Sequence, residues 1–309
     1  MTPTITDAVR DIVSKYESDS PGTKANLVRM LMQGRLGGTG RMVILPVDQG
    51  LEHGPARSFA PNPPAYDPHY HYQLAIDNGL SAYAAPLGMI EAGADTFAGQ
   101  IPTILKLNSS NSLVPLDQPN DQAFTSTVQD AVRLGCSAIG LTIYPGSSTA
   151  LQMIEEAQEV IREAKSHGLA AVVWSYPRGE DLSKLGETSL DVGGYATHMA
   201  ALIGAHIIKV KLPSDEYEQK DVDELYTRAG VDYSILSNRV RHIKQCALDG
   251  RRMVVFSGGG KKGTGSVFDD ARAIMEGGGN GSIIGRNSFQ RSAEDAAEML
   301  DEVIDIYKG

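Results

Sequence analysis

Eight short strand-like runs, each followed by a stretch with helical spacing, recur along this chain, and that repeat is its strongest constraint. The strands expected from it are Val43–Val47, Ala82–Ala85, Thr103–Leu107, Ser137–Ile143, Ala170–Trp174, Ile207–Lys211, Met253–Phe256 and Ser282–Ile284. Helical patterns fall between and after them, at His69–Asn78, Gln122–Leu134, Leu151–His167, Leu190–Ile203, Ile235–Asp249, Val267–Gly277 and Ala293–Tyr307, with a weaker one at Met89–Ala98. Eight strands each followed by a helix is the pattern of an α/β (β/α)8 TIM barrel. A doubly wound open sheet also alternates, but it needs fewer repeats and a G-x-G-x-x-G turn after strand one. Strand one here runs into ILPVDQGLEHGP, which has no such turn. Two further helical stretches, Ile5–Glu17 and Lys24–Gln33, precede strand one. Residues 1–309 are therefore expected to form a single barrel domain, with residues 1–40 as an N-terminal helical extension.

One connection stands apart. Leu51–Pro68 carries Pro55, Pro61, Pro63, Pro64 and Pro68, so it is expected not to form helix. It follows strand one at the C-terminal end of the strands, the catalytic face of barrels, where a long loop reads either as a functional wall or as an oligomer contact.

The formal net charge of −10 argues against nucleic acid and anionic membranes as partners. No apolar run approaches the ~20 residues of a membrane span. The first residues read as an amphipathic helix and not a signal peptide. Cys136 and Cys246 alone make no disulfide framework or zinc pattern, which fits a cytoplasmic protein. An acidic protein can still hold a locally positive pocket, so a small anionic substrate is compatible with the charge.

Side chains alternate faces along a strand. In HIIKVKLP, Ile208 and Val210 suit the helix-packed outer face, which turns Lys209 and Lys211 inward near the C-terminal mouth. On strand three, Leu105 and Leu107 face out, leaving Lys106 and Asn108 inside. Three lysines converging in one barrel is not a packing solution. One reading is a lysine nucleophile, made neutral by burial and neighbouring cations. The other is a set of fixed cations held by carboxylates or binding phosphate. Parity cannot choose among the three, but Lys209 is the deeper of the strand-six pair and has Lys211 as a nearby cation, whereas Lys211 is better placed to meet solvent or phosphate.

Strand five, AVVWSYPRG, turns Trp174 and Tyr176 toward the lysines if Val173 faces the helices, and puts Arg178 at the rim as an anion grip. Thr142 and Tyr144 on strand four share the inward parity, which makes Tyr144 a rival acid/base. After strands seven and eight come SGGGKK and GRNSFQR. Barrels often bind phosphate there, and Gly258, Gly259 and Gly285 let backbone approach an anion while Arg286 adds charge.

At these residues the chain resembles the archaeal-type class I fructose-bisphosphate aldolases. The resemblance runs from Arg41 to Lys308, and its most specific strings are ILPVDQGLEHGP, VVWSYPRG, IIKVKLP, SGGGKK and IIGRNSFQR. The proline-rich loop and N-terminal helices resemble the family's longer bacterial branch. The resemblance implies that Lys209 forms a Schiff base with the substrate, that Tyr176 donates a proton, and that Asp48 lies beside the reacting carbons. It assigns a substrate phosphate to Ser257, Gly258, Gly259, Gly285 and Arg286. Gln49 stands where other members can carry histidine. The implied reaction is reversible cleavage of fructose 1,6-bisphosphate to dihydroxyacetone phosphate and glyceraldehyde 3-phosphate. No cofactor or metal is expected, the partner is a phosphosugar, and a homo-oligomer, often a decamer, comes with the family. Two other enzymes compete with that reading. One is a transaldolase-type transferase using the same lysine on another phosphorylated ketose. The other is a zinc aldolase suggested by His53, His69 and His71, disfavoured because His69 follows Pro68 directly and the lysine apparatus would be idle.

Overall fold

A computed structural model describes residues 5–115, 117–258 and 263–309. Eight parallel strands close into a barrel: β1 (Met42–Pro46), β2 (Ala82–Pro86), β3 (Thr103–Lys106), β4 (Ala138–Ile143), β5 (Ala170–Ser175), β6 (Ile207–Lys211), β7 (Met253–Ser257) and β8 (Gly281–Ile283). Neighbours in sequence are neighbours in space, and β8 returns to β1 with Met42 opposite Gly281 and Ile44 opposite Ile283. Each expected strand is present, with ends moved by a residue or so.

Alternation divides the apolar residues into two clusters. Leu45, Leu105, Leu141, Val173, Ile208, Val210 and Val254 pack outward against the helices. Ile44, Ala84, Ile104, Val172, Trp174, Ile207 and Val255 fill the barrel interior. Gly140 makes that filling possible, because a Cβ there would lie 2.7 Å from Cζ3 of Trp174. The parity that turned Lys106, Trp174, Lys209 and Lys211 inward therefore holds.

The helices Asp7–Ser14 and Pro21–Leu31 are started by Thr6 and Ser20, whose hydroxyls accept from backbone N–H groups in the first turn. Their buried residues Val9, Leu27, Met30 and Leu31, with Tyr16 from the connection between them, belong to the interior cluster. They close the end of the barrel away from the lysines. Tyr16 ties this plug to the strands, its hydroxyl donating to the His206 carbonyl at 2.5 Å and accepting from Met253 N–H at 3.1 Å.

Two expectations are corrected. The Leu51–Pro68 connection does contain helix: Gln49–His53, Pro55–Phe59 and a 3₁₀ turn at Pro63–Tyr66, followed by Pro68–Asp77. Pro55, Pro63 and Pro68 stand in the first turn of these segments, where a missing N–H forfeits no internal bond. The Gln122–Leu134 helix is only Val128–Arg133, because Ala123–Phe124 pairs antiparallel with Asn108–Ser109 in a small ribbon above the mouth. A capping box at Thr127 and Asp130 then starts the helix late.

Candidate active site

The three lysines meet different partners. Lys106 is buried, and its Nζ donates to the backbone oxygen of Asn108 and, at 3.0 Å, to Asn108 Oδ1. Asn108 is itself locked onto β4, accepting from Thr142 N–H at 2.7 Å and donating to the Thr142 carbonyl at 2.9 Å. Lys211 sits at the rim, where its Nζ pairs with Glu187 at 2.7 Å. Lys209 is 4% exposed and has no hydrogen bond or ion pair among the described residues. Its Nζ lies over two rings, 4.9 Å from the Trp174 centroid and 5.3 Å from that of Tyr176.

Burial lowers the Lys209 ammonium to about 8, opposed by Asp48 and Glu52 and reinforced by Arg286. The nearby cation is thus Arg286, and not Lys211 as the sequence suggested, because Glu187 neutralises Lys211. Lys106 is also held to about 8, by burial first, with Asp48 and Glu52 again opposing and Lys209 contributing. An amine with no acceptor to satisfy loses least on becoming neutral, which separates Lys209 from its two neighbours.

Asp48 caps the helix Gln49–His53, yet its side chain makes no capping bond and lines the cavity instead. Burial pushes the Tyr176 hydroxyl well above its ordinary range, with Ser257 opposing through a hydrogen bond and Asp48 adding to the rise. Tyr176 is therefore protonated at any physiological pH. Trp174 Nε1 and Gln49 Oε1 are buried with no hydrogen-bond partner among the described residues.

Asp48, Gln49, Tyr176, Lys209, Lys211, Ser257, Gly258, Gly285 and Arg286 line one cavity of about 110 Å³ at the mouth. Gly285 is the residue before the short helix Arg286–Phe289, and it passes close to β1: a Cβ there would meet the Pro46 carbonyl oxygen at 2.8 Å and Gln49 Nε2 at 2.9 Å. Gly259 lies outside the described residues. The rim beyond is a polar network. Arg178 Nη1 is 3.3 Å from Glu52 Oε1 and donates to the Tyr144 hydroxyl at 3.2 Å, its guanidinium 4.9 Å from the Tyr144 ring centroid. Tyr144 also meets Ser110 at 3.2 Å, so it belongs to an outer cleft that Lys209 does not line.

His53 lines the mouth, but His69 and His71 do not join it. The Nε2 atoms of His69 and His71 rest on the carbonyls of Ala92 and Ala65, and His71 packs between Phe59 and Phe289. Among the described residues, no three His, Cys, Asp or Glu side chains are grouped to hold a metal ion. Glu52 and Glu187 were missed from the sequence. Glu52 had a signal, being a carboxylate just after strand one in a barrel with excess inward lysine. Glu187 had none, since it reaches Lys211 from a 3₁₀ turn distant in the chain.

A closed eight-stranded barrel with a buried lysine, unpaired among the described residues, at its C-terminal mouth has the architecture of a barrel enzyme acting by amine chemistry. Residues 42–291 match the model of the DeoC/LacD family of aldolases, and the chain belongs to that family. Among relatives, it is 34% identical to a probable class 1 fructose-bisphosphate aldolase of Chlamydia muridarum, across 96% of this chain and 88% of that one. It is 30% identical to a fructose-bisphosphate aldolase/6-deoxy-5-ketofructose 1-phosphate synthase of Methanocaldococcus jannaschii, across 87% and 82%. Among solved structures, it superposes with a TM-score of 0.76 and 29% identity on an archaeal fructose-1,6-bisphosphate aldolase whose catalytic lysine is bound to the carbinolamine intermediate, covering 96% of this chain and all of that one.

Proposed function

We propose that the chain is a class I fructose-bisphosphate aldolase in which Lys209 is the Schiff-base nucleophile. The observation that carries this is a buried lysine amine, set over the Trp174 and Tyr176 rings, with no hydrogen-bond or ion-pair partner among the described residues and held by burial to about 8. About a tenth of such a lysine is neutral at pH 7, against less than a thousandth at the ordinary value. The neutral Nζ adds to the C2 carbonyl of the open-chain sugar, and loss of water leaves a protonated imine. The C4 hydroxyl gives its proton to a base, for which Asp48 is the nearby carboxylate. The C3–C4 bond breaks, its electron pair moves toward the imine nitrogen, and glyceraldehyde 3-phosphate departs. Tyr176 protonates C3 of the enamine, and hydrolysis of the imine frees dihydroxyacetone phosphate and the lysine. Ser257, Gly258, Gly259, Gly285 and Arg286 hold the phosphate on the ketone side. Trp174, whose N–H has no partner among the described residues, and Gln49, Lys211 and Arg178 orient the rest of the sugar, while Lys106 is a fixed cation behind it. A homo-oligomer and a cytoplasmic location accompany this reading.

Borohydride added with dihydroxyacetone phosphate should reduce the imine to a stable adduct. Peptide mass mapping should find it on Lys209, and Lys209→Arg should not trap. An adduct on Lys106 or Lys211 would move the nucleophile. No adduct from an enzyme that still cleaves the bisphosphate would remove the Schiff-base assignment. A transferase on the same lysine is the second reading, favoured by the double name of the Methanocaldococcus relative. Transfer of the enamine to aldehydes other than glyceraldehyde 3-phosphate distinguishes it.

A further inference from the structure

The cavity around Lys209 is the smaller of two adjoining spaces at the mouth. Pockets that hold small molecules run to about 300–1,000 Å³, and this one is about 110 Å³. Beside it lies an outer cleft of about 390 Å³. Both spaces are lined by Glu52, His53 and Arg178, and within that shared wall Glu52 Oε1 is 3.3 Å from Arg178 Nη1 while Oε2 is 3.9 Å from His53 Nε2. A phosphate that reaches Arg178 along this wall meets a guanidinium already paired with Glu52.

We infer that Glu52 is a specificity-determining residue: it occupies Arg178 in the empty enzyme and yields it to the second phosphate of a bisphosphate substrate. The inference rests on the aldolase reading above. Three features make the exchange feasible. The Glu52 carbonyl accepts from Ser112 N–H at 2.8 Å, so the backbone stays fixed while the side chain swings. Arg178 keeps its place when Glu52 leaves, because Tyr144 holds it by a hydrogen bond and by its ring face. A phosphate dianion also outcompetes a carboxylate for a guanidinium, offering more charge and more acceptor oxygens. A substrate with a phosphate on the ketone side alone has nothing to offer Arg178. It leaves the pair closed. The carboxylate therefore competes with the second phosphate alone, and it lowers the preference for the bisphosphate over the monophosphate.

The test compares KM and kcat for fructose 1,6-bisphosphate and fructose 1-phosphate in the wild type, Glu52→Gln and Glu52→Asp. Glu52→Gln removes the competing charge. The KM ratio, monophosphate over bisphosphate, should rise about threefold to tenfold, with kcat moving alike for both substrates. Loss of a negative charge near Lys209 changes its ionisation too, but that change is common to both sugars and cancels in the ratio. The other charged groups around Lys209, namely Asp48, Lys106 and Arg286, are untouched. Glu52→Asp keeps the charge and draws it back by one methylene. It should raise the ratio while leaving the acid limb of the pH–rate profile close to wild type. A ratio unchanged or lowered in both variants overturns the inference. If the wild type cleaves neither sugar, the aldolase reading fails instead, so the two failures are distinguishable.

Discussion

Replacing Lys209 by methionine should make the protein more stable at neutral pH, although it destroys the proposed activity. Methionine has similar length, no charge and a flexible chain that fills irregular space. Lys209 is lowered to about 8 by burial against an ordinary value of 10.5. At about 1.4 kcal/mol per unit, holding the charged form in the barrel costs about 3–4 kcal/mol at most. Relaxation and lost packing bring the expected gain to about 1–3 kcal/mol. The sign depends on pH in a specific way. The folded value lies below the unfolded one, so below pH 8 both states are charged and the folded state carries the full cost. Between 8 and 10.5 the folded lysine is neutral while the unfolded chain still binds a proton, and the cost fades as pH rises. Urea unfolding of wild type and Lys209→Met, at equal protein concentration and at pH 7 and pH 10, reads this directly. The variant should unfold at higher urea at pH 7, and its advantage should shrink to a third or less at pH 10. A variant no more stable than wild type at pH 7, or an advantage independent of pH, would falsify the claim that Lys209 is an uncompensated buried amine. Lys106→Met is the internal control. Lys106 donates to two oxygens of Asn108, which its removal would strand, so its gain should be smaller or absent.

Two further substitutions probe the site. Arg286→Ala should weaken dihydroxyacetone phosphate and the bisphosphate alike by about 1.5–3 kcal/mol, the value of a lost charged hydrogen bond; unchanged affinity in that variant moves the phosphate elsewhere. Tyr176→Phe should slow carbon–carbon cleavage by roughly 10²–10⁴ while borohydride trapping persists, and near-normal cleavage would transfer the proton role to Tyr144 or Asp48.

Most of the barrel was legible because its rules are local. A strand's two faces alternate whatever surrounds it, so Ile208 and Val210 on the outer face put Lys209 and Lys211 inside, as observed. The proline-rich connection was misjudged for an equally local reason. Proline forbids helix interiors but favours first turns, and the spacing of Pro55, Pro63 and Pro68 fits several short helices as well as none. The pairing of cations with carboxylates was not legible. Lys211 and Glu187 are joined by the path of a loop, and so are Arg178 and Glu52. No periodicity encodes where a loop crosses the mouth. The sequence could count the charges inside the barrel but could not say which would be neutralised.

That neutralisation depends on how the two ends of the barrel divide their tasks. The mouth keeps two lysines nearly dry and leaves Trp174 Nε1 and Gln49 Oε1 without partners among the described residues, each a cost to folding. The opposite end is closed by Val9, Leu27, Met30 and Leu31, all fully buried. Burying side chains of this kind contributes roughly 1.5–3 kcal/mol each, an upper bound because an unfolded chain already hides part of them. The plug can therefore offset a strained mouth without touching it, since its contacts are with the floor of the barrel interior and not with Lys209. Tyr16 makes the link mechanical, bridging the starts of β6 and β7, the two strands that carry Lys209 and Ser257. The N-terminal helices hold those strand starts in register, and in a barrel with parallel strands the register at the floor sets the relative height of side chains at the mouth.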